Sequence, residues 1–239
     1  MRSNTKKFTA AQHVGTYRAS QERFTQSINA MASDDAHLQI QSCPDWNVHG
    51  LLSHVTGLCK AISQNETPPA DTQNWVDQQV VSRQSVSTSA VAAEWNEAFT
   101  PFSEVISANM RLAMPLTYDL LVHEFDLNHA LGKDPVLEDT DAQLLAMNVA
   151  AFILDGDITQ ANIGSLLLVA NDKEWQCGSG DVVATLDLSS FKHPLFEFIR
   201  LTGSRRSHKQ LLAYPWQGNY ELVLPFLSHM ELPLHDIVE

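Results

Sequence analysis

The sequence is poor in cysteine, in long apolar runs and in positive charge, and each shortage excludes a class of protein. Three cysteines occur in 239 residues, without a CxxC pair, so neither a disulfide framework nor a cysteine zinc finger is expected. No apolar run reaches the roughly 20 residues that cross a bilayer. Fifteen basic residues against 28 acidic ones give a formal net charge of −13, which repels nucleic acid and anionic membrane surfaces.

What remains is the composition of an ordinary folded protein. Hydrophobic residues make up 44% of the chain and charged residues 18%, close to the average of globular domains. The segment from Phe8 to His13, after the first lysines, contains no apolar signal core. We therefore predict a cytoplasmic protein that binds neither nucleic acid nor membrane. We also expect it to be a monomer or a weak homodimer.

Apolar residues at helical spacing predict that the first two thirds of the chain are helical. The predicted helices are 14–31, 48–62, 75–110, 115–132 and 140–154. Pro68 and Pro69 indicate a loop over 65–74, and breaks in the third helix are expected around 85–89 and at Pro101. Pro115 is expected to open the fourth helix and Gly132 to end it.

The pattern changes after Asp157, where short β-compatible runs appear. Strands are predicted over 165–169, 174–177 and 182–188, and helices over 195–201, 207–212 and 220–227. Residues 155–157 should stop the preceding helix. We therefore predict an α+β protein with a helical domain over 1–157 and a smaller α+β domain over 158–239.

Two predicted helices carry side chains that suit a metal site. Asp119 and His123 are four residues apart, an offset of only about 40° around a helix, so both can reach one ion. Asp126 lies within about 20° of Asp119 and can orient a ligand. His54 lies inside the apolar stripe of 48–62, where a polar group needs a partner. Hydrogen bonds within the core would satisfy these side chains, and so would a metal site of two histidines and one carboxylate.

The motifs around these residues resemble those of a known family. Cys43-Pro44-Asp45-Trp46-Asn47-Val48, with His54 and Gly57 downstream, resembles the opening motif of the mycothiol-dependent maleylpyruvate isomerase family, in the DinB-like metalloenzyme superfamily. The segment 119–127 is similar to the family's second motif. Segments 200–207 and 216–219 resemble the C-terminal signature of many actinobacterial members. Asp119 stands where the founding isomerase has Glu, and Phe125 where many relatives have Trp.

This resemblance implies a fold, a cofactor and roles for particular residues. The fold is a DinB-like four-helix bundle followed by a smaller α+β domain. The resemblance implies a divalent metal, with zinc as the expected ion, that is held by three ligands: His54, Asp119 and His123. The cofactor is mycothiol, whose metal-activated thiolate adds to a small electrophilic substrate, as in the isomerisation of maleylpyruvate. A mycothiol S-transferase, a metal-dependent hydrolase and a non-catalytic binding module with the same bundle are the alternatives.

Three further residues are given catalytic roles. The resemblance implies that Arg205 or Arg206 binds substrate carboxylates, whereas composition alone would equally place this pair on the solvated surface. Asp126 is expected to orient a ligand. Neither Cys43 nor Cys59 is expected to be a nucleophile, because no motif around them indicates an activated thiol.

Overall fold

The computed structural model describes residues 1–66, 68–69 and 71–239. Contacts divide the chain into two compact units. One is Thr9–Pro135, and the other combines Met1–Phe8 with Val136–Glu239. Two residues of the predicted loop over 65–74, Thr67 and Ala70, lie outside the described residues. Its last three residues, 72–74, belong instead to a helix, Thr72–Val81.

The unit Thr9–Pro135 is helical. Its helices are α1 (Ala10–Ala30), α2 (Val48–Ser63), α3 (Thr72–Val81), α4 (Thr88–Ala108) and α5 (Met110–Ala130). The apolar stripes of α1, α2, α4 and α5 form one core, and α3 packs against α2. Completely buried members of this core include Phe24, Leu51, Trp95 and Phe102. The four-helix bundle expected from the sequence is therefore confirmed.

Local capping signals fix the ends of the helices that carry the candidate ligands. The Asn47 side chain accepts a hydrogen bond of 2.8 Å from the backbone N–H of Gly50, so α2 begins where predicted. Gly132 follows the end of α5 with φ at +64°, a left-handed conformation that favours glycine after a helix. Both predicted ends are confirmed.

The structure corrects the predictions at two prolines. Pro101 lies inside α4 and does not break it, and Pro115 lies inside α5 and does not open it. Instead, α5 begins at Met110, where the side chain of Asn109 caps it. A proline removes one backbone donor from a helix, but neighbouring residues such as Phe102 and Ala113 are completely buried. Packing of the apolar face therefore maintains both helices through the prolines.

The other unit combines a sheet with three helices, which confirms the α+β class. Its strands are β1 (Arg2–Ser3), β2 (Ser165–Ala170), β3 (Lys173–Gly178), β4 (Val182–Asp187) and β5 (Trp216–Gly218). Its helices are α6 (Thr140–Ala161), α7 (Pro194–Thr202) and α8 (His208–Leu212). The strand order is β1-β3-β2-β4-β5, with β2 and β4 parallel and the other pairs antiparallel. Two 3-10 turns, Tyr220–Leu222 and Leu224–Phe226, replace the helix predicted over 220–227.

Helix α6 is longer than predicted and packs with the sheet. It continues through residues 155–157 and ends at Ala161, before Asn162 in the left-handed conformation. Its buried face shares a core with β2, β3 and β4, so apolar packing overrides the local stop signal. Along the chain, the bundle unit ends at Pro135, whereas the boundary predicted from the sequence lies at Asp157. The division into a helical domain over 1–157 and an α+β domain over 158–239 stays a prediction.

The structure also bears on the shortages noted in the sequence. All three cysteines are free thiols, Cys43 half-buried and both Cys59 and Cys177 buried. Within the described part of the chain, none of the helices is both long and apolar enough to cross a bilayer.

Candidate metal centre

Helices α2 and α5 bring the three predicted ligands together. His54 Nε2 lies 3.5 Å from one oxygen of Asp119, and His123 Nε2 lies 3.5 Å from the other. One donor atom from each of the three residues lies within 4.8 Å of the other two. Nitrogen and oxygen ligands of a tetrahedral zinc ion are about 3.3–3.5 Å apart. Small side-chain shifts would therefore let the three hold one ion, and their role as metal ligands stays a prediction.

The candidate ligands differ in exposure. His54 and His123 are 4% and 5% exposed, whereas the side chain of Asp119 is 37% exposed. The two imidazole rings meet edge to face, with 4.9 Å between their centroids. The indole of Trp46 stacks on His54 at a centroid distance of 4.7 Å, so an apolar wall covers one face of that ring. The open side of the site is therefore at the carboxylate.

Asp126 holds the nitrogen of His123 that faces away from Asp119. His123 Nδ1 lies 3.0 Å from Asp126 Oδ2, and the hydroxyl of Ser42 donates to Asp126 Oδ1 at 2.8 Å. An ionised carboxylate only accepts hydrogen bonds, so Asp126 favours a proton on Nδ1 and leaves Nε2 as the nitrogen of His123 that can bind an ion. This is the tautomer that a metal ligand in this position needs. The sequence does not single out Ser42.

The electrostatics of the site keep Asp119 ionised. Burial alone would raise the pKa of this carboxyl group, but the imidazoles of His123 and His54, when both are protonated, outweigh burial and hold the pKa well below its usual range. A charged carboxylate is the form that binds a cation.

The structure adds Cys43 to the surroundings of His123. Its Sγ atom, a ring nitrogen of His123 and an oxygen of Asp126 all lie within 4.8 Å of one another. The sequence analysis gives this thiol no role, although Cys43 opens the motif that leads to His54. The contact joins a loop to the distant helix α5, so no local pattern could reveal it.

Arg205 and Arg206 belong to the other unit, and both are buried, at 5% and 4% exposure. The alternative interpretation of a solvated surface pair is therefore wrong. Arg206 forms a two-pronged ion pair with Glu197, at 2.7 and 2.9 Å, and contacts Glu239 at 2.9 Å. Arg205 donates to the backbone oxygen of Gly203. A catalytic role for either arginine stays a prediction.

Comparisons with known proteins find structures of similar fold but no relative by sequence. The sequence matches no protein-family model and no curated protein. The fold is similar to two crystal structures of the mycothiol-dependent maleylpyruvate isomerase, one of them a histidine-to-alanine mutant. The TM-scores are 0.54 for the mutant and 0.52 for the other structure, each with 12% identity over 83% of this chain and 90% of that chain. The resemblance seen in the motifs is thus confirmed at the level of the fold.

Proposed function

We propose that this chain is a metal-dependent enzyme that uses mycothiol as its thiol cofactor and acts on a small electrophilic substrate. The observation that carries the proposal is the convergence of His54, Asp119 and His123, with His123 oriented by Asp126. The convergence occurs in a protein whose fold is similar to that of the mycothiol-dependent maleylpyruvate isomerase. The proposed reaction is addition of the thiol to the substrate, which isomerisation and S-transfer have in common.

Each residue has a distinct task in this proposal. His54 and His123 supply neutral nitrogen donors, and Asp119 supplies the negative charge that balances part of the cation. Asp126 keeps the proton of His123 on Nδ1, and Trp46 shields one face of His54 from water. A divalent ion bound by three protein ligands has a further position for a thiol, and it lowers the pKa of that thiol towards neutrality.

The metal assignment can be tested by substitutions on one helix. His123→Ala should reduce the zinc content from about one ion per chain to a small fraction, because three-ligand sites depend on every ligand. His129→Ala is the matched control, since it makes the same change near the end of α5 outside the donor set. Elemental analysis of both purified variants measures the difference. An equal loss of metal in the two would mean that the wrong histidine has been assigned.

The thiol assignment needs a separate test. The cobalt-substituted protein should develop an intense thiolate-to-cobalt absorption when titrated with mycothiol, and glutathione should substitute poorly because its peptide body differs from a sugar-linked cysteine. Absence of this band at millimolar mycothiol, with cobalt bound, would reject the thiol mechanism. The metal-dependent hydrolase or the non-catalytic binding module would then be favoured.

We also propose that Arg205 or Arg206 binds the carboxylates of the substrate, on the strength of the motif resemblance. Replacing the responsible arginine by Ala should raise the KM for a dicarboxylate substrate and leave the metal content unchanged. A loss of metal together with activity would show instead that the replacement disturbs the fold.

A further inference from the structure

His123 has donor atoms on both sides of its ring. The first set, at Nε2, contains His54 and Asp119. A second set contains Cys43 and Asp126 together with a nitrogen of His123, all within 4.8 Å of one another. The nitrogen that contacts Asp126 is Nδ1. The two sets therefore share the imidazole of His123, with Nε2 facing Asp119 of the first set and Nδ1 facing Asp126 of the second.

We propose that Cys43, His123 and Asp126 form a second cation site that takes a thiophilic divalent ion, with Cd²⁺ as the probe. Thiolate sulfur selects soft ions, whereas the first set offers only nitrogen and oxygen. Sulfur and nitrogen ligands of one tetrahedral ion are about 3.5 Å apart. The observed spacing is within reach of that value by side-chain rotation.

The thiol of Cys43 is held in place by its loop. The backbone N–H of Cys43 donates to the oxygen of Ile40 at 3.1 Å, and the N–H of Trp46 donates to the oxygen of Cys43 at 2.8 Å. Ser42, the preceding residue, is tied to Asp126. The turn before α2 thus presents the sulfur to the same face of α5 that carries His123.

Occupation of the second site changes the tautomer of His123. An ion on Nδ1 displaces the proton that Asp126 accepts, and this oxygen of Asp126 becomes a ligand. The ring proton moves to Nε2, which faces Asp119, and the proton of the Cys43 thiol is released to solvent. Because Nε2 then carries a proton, it no longer binds an ion with His54 and Asp119. The two sites consequently exclude each other, and a thiophilic ion displaces the ion of the first site.

The other two thiols are poor competitors for such an ion. Cys59 and Cys177 are completely buried, and burial raises the pKa of both thiols to about 12. Cys43 is only half-buried. The thiolate-to-cadmium absorption that appears at the first equivalent of Cd²⁺ is therefore expected from Cys43.

A cadmium titration of the metal-free full-length protein tests the proposal. The wild type and His54→Ala should both develop the ultraviolet thiolate-to-cadmium absorption at one equivalent of Cd²⁺, and Cys43→Ser should lose it. Cys177→Ser is the matched control and should keep it. A band that persists in Cys43→Ser, or a wild type without a band, would overturn the proposal. Equal loss in His54→Ala and Cys43→Ser would also overturn it, because the two sets would then be one site.

A second measurement on the wild type does not depend on the folding of variants. At tenfold over its Kd, Cd²⁺ should slow alkylation of Cys43 by iodoacetamide about tenfold, because only the ion-free fraction reacts. Mass spectrometry of the Cys43 peptide gives the rate, and Mg²⁺ should not protect. Unchanged alkylation with Cd²⁺ would contradict the proposal. Neither experiment contains mycothiol, so its outcome is independent of the cobalt titration that tests the proposed function.

Discussion

Replacing Asp126 by Asn should weaken metal binding while leaving the protein folded. The carboxylate accepts from Nδ1 of His123 at 3.0 Å and from the hydroxyl of Ser42 at 2.8 Å. An amide has the same shape but a single oxygen, and its NH2 group can donate to the oxygen of Ser42 once that hydroxyl rotates. The fold therefore tolerates the change, whereas His123 loses a charged acceptor.

The size of the effect follows from the strength of that hydrogen bond. Hydrogen bonds to charged groups contribute about 1.5–3 kcal/mol and neutral ones about 0.5–1.5 kcal/mol, so the substitution removes about 1–1.5 kcal/mol from the orientation of His123. Partners of metal-bound histidines affect affinity by about tenfold to hundredfold when mutated. We expect the zinc Kd of Asp126→Asn to rise by about tenfold, or about 1.4 kcal/mol.

Competition with a chromophoric chelator measures this Kd directly. Asp45→Asn is the matched control, because it makes the same chemical change at an exposed position in the loop that precedes α2, and its Kd should equal that of the wild type. Circular dichroism confirms that both variants are folded. A folded Asp126→Asn variant whose Kd lies within twofold of the wild type would refute the view that Asp126 orients a metal ligand.

Three further predictions concern packing, pH and the metal. Gly57→Ala should destabilise the fold by about 1–3 kcal/mol, because a Cβ atom there would lie 2.5 Å from Cβ of Gln79. Gly15→Ala, whose added Cβ meets nothing within 4 Å, should stabilise it by up to about 1 kcal/mol. Thermal unfolding in which both variants change stability in the same direction would contradict this packing. Burial would raise the pKa of Glu197, but Arg206 outweighs burial and lowers this pKa, so the stabilisation from the ion pair is complete above the unfolded-state pKa and is lost as the pH falls through the folded-state pKa. Glu197→Gln should therefore lose less stability than the wild type between about pH 5 and pH 3. Identical slopes of unfolding free energy against pH would argue against this ion pair. Removing the metal with a chelator should lower the Tm, because an ion that binds only the folded protein stabilises it, and an unchanged Tm would count against a metal site.

The helices could be predicted where local signals and burial agree. The range 48–62 lies within one residue of α2 (Val48–Ser63), because its apolar period and the cap at Asn47 are both local features. The predictions at Pro101 and Pro115 were wrong. Each proline removes one backbone hydrogen bond, but tertiary packing, which the sequence does not show, outweighs this loss. The same reason explains why α6 passes through residues 155–157.

The short strands could not be predicted, because their stability comes from distant partners. The two residues of β1 pair with Gln176 and Trp175 of β3, and the three residues of β5 pair with β4. A strand of this length has no detectable period of its own. Strands β2, β3 and β4 alternate over six residues each, and all three were predicted.

Some residues of the candidate site could be predicted from local spacing, whereas others come together only through contacts between distant parts of the chain. Asp119, His123 and Asp126 share a helical face, so their spacing alone brought them together. His54 is on another helix, and its place in an apolar stripe suggested a shared site with them. The motif resemblance then favoured a metal site over hydrogen bonds within the core. Ser42 contacts Asp126 across 84 positions of the chain, and a serine in a loop carries no signal of such a contact.

The path of the chain determines which parts of this protein are encoded by a continuous stretch of its gene. The chain begins in the sheet unit as β1, leaves it after Phe8 and returns to it at Val136. The bundle is thus an insertion, and one uninterrupted stretch of coding sequence specifies both candidate donor sets. The arginine pair is encoded outside that stretch. Exchange of the inserted segment between related genes would replace all the proposed metal chemistry at once and leave the buried arginine cluster as it was.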